Sequence, residues 1–215
     1  MRVAPEGIYE ILLALALAAV FGALALAYRC QWTALLSAGC AIAGLFFCFF
    51  FRDPDRAMPA DPAALLSPAD GTVVIVGEVD EPYFIKGRAR QVSIFMSPLD
   101  VHINRLPLAG TVGYKQYYPG KFLPAFRDKA STDNEQTHLG VASPNGKVLI
   151  KQIAGTLARR VVCHPNVGDD VSQGQRYGLI KLGSRLDLFF PLAWEVHVRL
   201  QDKVRGGLTT IAKIN

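Results

Sequence analysis

The sequence predicts a mainly β domain behind an N-terminal transmembrane helical hairpin. Three observations carry this: two long uncharged apolar runs near the N-terminus, a series of short β-favouring runs after residue 62, and no long amphipathic helix among them. With 215 residues, 51% of them hydrophobic, the chain has room for one sizeable core and a small second part.

Ile11 to Tyr28 and Thr33 to Phe51 carry no charge. At about 1.5 Å per helical residue each spans roughly 27 Å, close to the thickness of a bilayer core. Only Arg29, Cys30, Gln31 and Trp32 separate them, so the chain turns back to the side it started from. Arg2, Arg52 and Arg56 outnumber Arg29 in the loop, which by the positive-inside rule puts that side in the cytoplasm, at the inner face of the cell membrane. A cleaved signal peptide fits less well, because Glu6 and Glu10 weaken the n-region and a second apolar run follows at once. A shallow monotopic hairpin would also keep the domain at the lipid surface. The expected organisation is an anchor over 1–51, a linker rich in Pro, Asp and Ala over 52–62, and a domain over 63–215.

Within that domain the expected strands are Thr72 to Val76, Gln91 to Met96, Thr111 to Tyr117, Lys147 to Ile153, Arg160 to His164, Tyr177 to Leu182, Leu186 to Phe190 and Glu195 to Leu200. Their spacing predicts a compact β-sandwich or barrel. Pro68-Ala69-Asp70-Gly71-Thr72-Val73 is echoed by Pro107-Leu108-Ala109-Gly110-Thr111-Val112, too little by itself for a repeat architecture. Both pieces, with the hairpin Val167 to Gly178, resemble elements of biotinyl and lipoyl carrier folds. The position of interest, Gly183-Ser184, is not the hairpin-tip lysine of a swinging-arm carrier.

The net charge is +5, and residues 1–51 hold two basic residues, Arg2 and Arg29, against two acidic ones, Glu6 and Glu10, so the excess belongs to the domain. That suits anionic membrane lipids as partners. Nucleic acid is not expected, since the charges are scattered without a basic helix or aromatic-basic motif. Cys30, Cys40 and Cys48 lie in or beside the hairpin and Cys163 stands alone, so no disulfide framework follows. His102, His138, His164 and His197 lack the paired spacing of a zinc site, and no metal is expected.

Near the C-terminus, Gly183-Ser184 sits between two apolar, strand-like runs, where glycine permits close approaches and a serine hydroxyl could attack the preceding carbonyl to form an ester. A hairpin turn explains the same pair. Taken together, Ser67-Pro68-Ala69-Asp70-Gly71, Met96 through Pro107 (with Asp100, His102, Asn104 and Arg105), Asn134-Glu135 and Lys181-Leu182-Gly183-Ser184 resemble the phosphatidylserine decarboxylase family over about residue 54 to the C-terminus. The size and the Gly-Ser-Arg at 183–185 are similar to its short bacterial and archaeal type.

The resemblance implies a proenzyme that cuts itself between Gly183 and Ser184, leaving a β chain of residues 1–183 and an α chain headed by a pyruvoyl group derived from Ser184. That covalent group would form a Schiff base with phosphatidylserine and act as electron sink while carbon dioxide leaves, yielding phosphatidylethanolamine. His102 is the expected base by residue type, and Asp70 the carboxylate that orients it or stabilises its cation. Long-type members carry a second histidine where this chain has Arg105; that arginine, with Asn134 and Glu135, is expected to contact substrate. A homo-oligomer is left open. Each residue also has an ordinary explanation: Asp70-Gly71 as a turn pair, His102 as a semi-buried histidine, Asn134-Glu135 as a strand start. Two other readings stand beside the main one, a membrane-tethered lipoyl-like adaptor without chemistry and a decarboxylase of an archaeal ether-lipid serine analogue.

Overall fold

The computed structural model describes residues 2–59, 61–123, 133–156, 160–181 and 184–214. These form two compact units, Met1–Asp55 and Arg56–Asn215.

In the first unit β1 (Arg2–Val3) leads through a 3₁₀ turn, Pro5–Gly7, into α1 (Ile8–Tyr28), then α2 (Gln31–Phe50) and β2 (Arg52–Asp53). Arg29 ends α1 in the left-handed region at φ 49° and reverses the chain. Small residues let the two helices approach: Gly22 faces Ser37, Gly44 faces Ala14 and Leu15, and the Ser37 hydroxyl donates to the Ala18 carbonyl at 2.7 Å. Apolar side chains such as Leu26, Ile42 and Leu45 point outward. Both helices are long and apolar enough to cross a membrane, with mean hydropathy 2.5 and 2.1. β1 pairs antiparallel with β2, so the hairpin starts and ends at the same place.

The second unit contains β3 (Ala64–Leu66), β4 (Gly71–Glu81), β5 (Gly87–Met96), β6 (Ile103–Arg105), β7 (Gly110–Tyr118), β8 (Gln136–Ser143), β9 (Gly146–Ala154), β10 (Val161–Cys163), β11 (Asp170–Val171), β12 (Arg176–Ile180), β13 (Ser184–Pro191), β14 (Glu195–Val196), β15 (Lys203–Val204) and β16 (Thr210–Lys213). An eight-stranded antiparallel sheet in the order β11-β7-β8-β9-β13-β5-β4-β15 curls into a half-barrel. Two three-stranded sheets, β10-β12-β6 and β14-β16-β3, complete the unit. Alternation sorts the long strands: Val92, Ile94, Leu139, Val148, Ile150, Leu186, Leu188 and Phe190 join one core with Leu65, Leu106, Tyr177 and Trp194. The opposite face carries a smaller cluster of Phe84, Ala89, Leu149 and Phe189.

The mainly β expectation holds, with differences in extent: the short strands β3, β6, β11, β15 and β16 add to those expected. β8 was not anticipated, because Gly140 and Ala142 interrupt its apolar pattern. The glycine is needed there, since a Cβ at 140 would lie 2.7 Å from the Phe84 ring. The strand expected over Glu195 to Leu200 ends at Val196, where the chain turns; Leu182, the expected end of another strand, lies outside the described residues.

The faint sequence echo corresponds to a repeated structural unit. Thr72 and Thr111 enter β4 and β7, and each strand has a register shift after the following valine. Val73 donates to the Asp202 carbonyl and accepts from Gln201 N–H, while Val112 donates to Asp169 and accepts from Gly168. The Asp202 and Asp169 side chains cap Arg199 N–H and Asn166 N–H alike, each at 2.8 Å. Further on, Ser67 bonds Thr209 and Gly207 as Leu106 bonds Gln175 and Gly174, and both of those glycines have φ 75°. A Cβ added at Gly71 or Gly110 would lie 2.2 Å from the carbonyl oxygen of Phe95 or Ala142 respectively. Gly110→Ala is therefore expected to destabilise the domain by about 1–3 kcal/mol, seen as a lowered unfolding midpoint of the full chain in detergent.

Candidate active site

Ser184 is the first residue of β13, the strand held between β9 and β5 in the large sheet. It pairs with Met96, the last residue of β5, and with Ala154, the last residue of β9. The preceding strand, β12, belongs to a different sheet, so the chain passes from one sheet to another between Ile180 and Ser184. Gly183 lies outside the described residues. Ser184 is fully buried, and its hydroxyl donates to the Met96 sulfur at 3.4 Å, a weak acceptor.

A second donor meets the same sulfur. Asn104 Nδ2, from β6, lies 3.8 Å from Met96 Sδ, and Asn104 Oδ1 accepts from Gln152 Nε2 at 2.8 Å. Gln152 Nε2 also reaches the Val162 carbonyl of β10 at 3.2 Å. Ser184, Met96, Asn104 and Gln152 are each at most 1% exposed.

Asp70 immediately precedes β4. Its carboxylate takes a two-pronged contact from Arg56, Nη1 at 2.6 Å and Nη2 at 2.8 Å, and a 2.7 Å hydrogen bond from Gly206 N–H. The turn leading to it is fastened to β6, because Arg105 N–H donates to the Pro68 carbonyl at 2.9 Å. His102 is 1% exposed, just ahead of β6. Its Nδ1 lies 3.0 Å from the Asp100 carbonyl. A carbonyl only accepts, so Nδ1 carries the hydrogen, and Nε2 is the basic position whenever the ring is neutral. The Asp70 carboxylate is thus directed to Arg56 and Gly206, and among the described contacts of His102 is the one from Nδ1 to the carbonyl of its own turn.

Arg105 is mostly buried and reaches the Gly174 carbonyl at 3.4 Å, beside Gly207. Asn134 is likewise buried: its Nδ2 donates to the Leu123 carbonyl at 2.8 Å and the Ala154 carbonyl at 2.6 Å, and its Oδ1 accepts from Leu123 N–H at 3.0 Å. Glu135 offers its carbonyl to Ala154 N–H at 2.9 Å. The Asn134-Glu135 pair therefore holds Ala154, the ladder partner of Ser184, and both Nδ2 hydrogens are engaged within the fold.

On the other face of β13, Arg185 and Asp187 form a fully buried ion pair, Nε to Oδ1 at 2.6 Å, and Arg185 also donates to Ser93 Oγ at 3.0 Å. Lys151, opposite Asp187, sits over the Tyr83 and Phe189 rings at 4.7 and 4.8 Å. Burial lowers its pKa, and Asp187 and Glu81 pull it back up. His138, opposite Lys151, is buried between Tyr83 and Tyr118, with Nε2 2.9 Å from Gln136 Oε1. Burial, helped by the Lys151 charge, lowers its pKa to about 3.

A sequence profile described as phosphatidylserine decarboxylase matches residues 43–212. A protein of Symbiobacterium thermophilum named phosphatidylserine decarboxylase proenzyme is 49% identical over 179 residues, covering 82% of this chain and 83% of the relative. Proteins of the same name from Solibacter usitatus and Magnetococcus marinus are 44% and 41% identical, covering 99% of this chain and 97% and 95% of their own lengths. The chain belongs to the phosphatidylserine decarboxylase family, and is a decarboxylase of that class.

By sequence Arg56 stands only as a charge beside the hairpin and Arg185 only as part of Gly-Ser-Arg; the Arg56-Asp70 clamp, the Arg185-Asp187 pair and Gln152 emerge from the structure. Gln152 left a signal: it is the polar residue on the core-facing phase of Val148 and Ile150.

Arg56→Met leaves the Asp70 carboxylate buried without its cation and is expected to cost about 3–5 kcal/mol in an unfolding titration. For His138, the unfolded ring takes a proton near pH 6.5 and the folded ring only near 3, so the unfolded chain binds more protons between these values and stability falls as pH drops through them. His138→Gln is expected to flatten that dependence, by at most about 1.4 kcal/mol per pH unit, in denaturant midpoints measured across the window.

Proposed function

We propose that the chain cleaves itself between Gly183 and Ser184, converts Ser184 into a pyruvoyl group, and decarboxylates phosphatidylserine to phosphatidylethanolamine and carbon dioxide. The observation that carries this reading is the buried Ser184 hydroxyl at the head of a central strand, resting on a thioether beside the Asn104-Gln152 pair.

In the processing step Ser184 Oγ bonds to the Gly183 carbonyl carbon as the Gly183–Ser184 C–N bond breaks, giving an ester and a free amine on residue 184. Removal of the α-proton expels the Gly183 carboxylate. Water then replaces the nitrogen, ammonia leaves, and a ketone remains. His102 Nε2 is the base for the hydroxyl and α protons, with Nδ1–H held by the Asp100 carbonyl. Asp70 acts on it through the fold: with Arg56 and Gly206 it fixes the turn whose Pro68 carbonyl holds β6 behind His102.

The donors around residue 184 suit a carbonyl group, since among the described residues Asn104 Nδ2 meets a sulfur there. Such a group supplies an electron sink for the pair left when carbon dioxide departs. His102 then returns a proton to the substrate α-carbon. Arg105 provides the cation for the substrate's phosphate or carboxylate, and Glu135 polar contact at the same end of the sheet. Asn134 contributes by holding Ala154 against Ser184.

The two apolar helices anchor the enzyme in the inner membrane with its catalytic domain on the cytoplasmic face, the anchor ending near residue 51 and a linker running to residue 62. Anionic lipids favour the basic domain there. The carrier-fold kinship is part of the same reading, supported by the duplicated turn units around Gly71 and Gly110.

Denaturing intact-mass spectra, with and without phenylhydrazine, test the proposal. Wild type should give two chains divided at Gly183/Ser184, the smaller one trapping the reagent. Ser184→Ala should remain one unlabelled chain without decarboxylase activity; a fully active single-chain wild type overturns the reading.

A further inference from the structure

We propose that Asn104 is the hydrogen-bond donor that binds the carbonyl group formed at residue 184, and that Gln152 is the positioning residue that aims it. The proposal rests on the pyruvoyl reading above.

The orientation follows from a chain of contacts that has only one sense. The Val162 carbonyl can only accept, so the Gln152 atom facing it at 3.2 Å is the amide nitrogen. That same nitrogen reaches Asn104 at 2.8 Å and requires an acceptor, so Asn104 must turn Oδ1 toward it. Asn104 Nδ2 is left facing Met96 Sδ at 3.8 Å, the sulfur that the Ser184 hydroxyl touches at 3.4 Å.

Before processing, the site is mismatched. Two good donors, a hydroxyl and an amide, share one poor acceptor in an interior where all the groups are at most 1% exposed. Conversion of Ser184 removes its hydroxyl donor, leaves a methyl at the β-carbon and puts a carbonyl oxygen on the α-carbon in place of the nitrogen. A turn of the freed chain end about the bond to its own carbonyl carbon brings that oxygen to the side where Asn104 Nδ2 waits beside Met96 Sδ, so the amide donor gains a good acceptor. Gln152 Oε1 is also buried without a hydrogen-bond partner among the described residues, as befits a site whose polar complement comes from outside the fold. No ordinary core needs an amide pair at this point; Val148 and Ile150 fill the same phase of β9 with hydrocarbon.

The test uses the full chain in detergent, produced with serine labelled with carbon-13 at the α-carbon, and reads the ketone stretch by isotope-edited infrared spectroscopy. In wild type the band should lie below that of a pyruvamide in a dry apolar solvent, and in Asn104→Leu it should rise. The kcat of Asn104→Leu should fall about 100-fold with KM changed less than about threefold. Gln152→Glu, which replaces the aiming donor with an acceptor, should approach the same kcat, and the double variant should be no worse than Asn104→Leu alone. An unmoved band with wild-type kcat in Asn104→Leu overturns the assignment. Should that variant fail to fold, the wild-type band decides: coincidence with the apolar-solvent ketone overturns it. A wild type without any trappable ketone instead fells the pyruvoyl reading itself.

Discussion

The site depends on β13 being an interior strand. Its ladders to β5 on one side and β9 on the other fix which residues face the core, and the sheet's period of two leaves no tolerance for slippage. A shift by one residue would carry Ser184 to the far face and bring Arg185 into the core. Leu186, Leu188 and Phe190 resist that by burial, and the Arg185-Asp187 pair resists it from the other side, where a displaced charge would lose its partner. Residue 184 is thus held by the whole sheet rather than by its neighbours in sequence.

The duplicated turn units give the domain two similar corners with different chemistry. At the first, Asp70 is clamped by Arg56 and Gly206. At the second, Ala109 stands where Asp70 does in the echo, and Gln173 bonds the Ala64 and Pro107 carbonyls instead. Backbone geometry is shared because Gly71 and Gly110 both lie too close to a neighbouring carbonyl for any side chain. The polar side chains differ, and the first corner is the one fastened to β6 through Arg105 N–H and the Pro68 carbonyl.

Much of this was legible in the sequence for physical reasons. Two uncharged runs of helical length could be read directly, because hydropathy over twenty residues needs no knowledge of tertiary contacts. Most long strands were legible from β-branched and aromatic runs between turns, while β8 escaped because Gly140 serves the Phe84 ring rather than its own strand. The candidate residues stand in recognisable motifs, yet the motifs do not name their partners. Nothing in the spacing says that Asp70 meets Arg56 and Gly206; such pairings exist only once distant parts of the chain are brought together. Asn104 lay inside a quoted motif without a role, since its direction is set by Gln152 and Val162 from two other strands.

The position of β13 also bears on what a cut before Ser184 would do to the assembly. The segment from Ser184 onward is interlaced with the rest: β13 fills the middle of the large sheet, β15 lines its edge against β4, and β16 lies between β14 and β3. Releasing it would mean unzipping backbone ladders in two sheets at once and opening the core between them. Scission and separation are therefore uncoupled. One peptide bond can be lost as a chemical event while the two pieces remain a single folding unit, dovetailed like a joint that needs no glue.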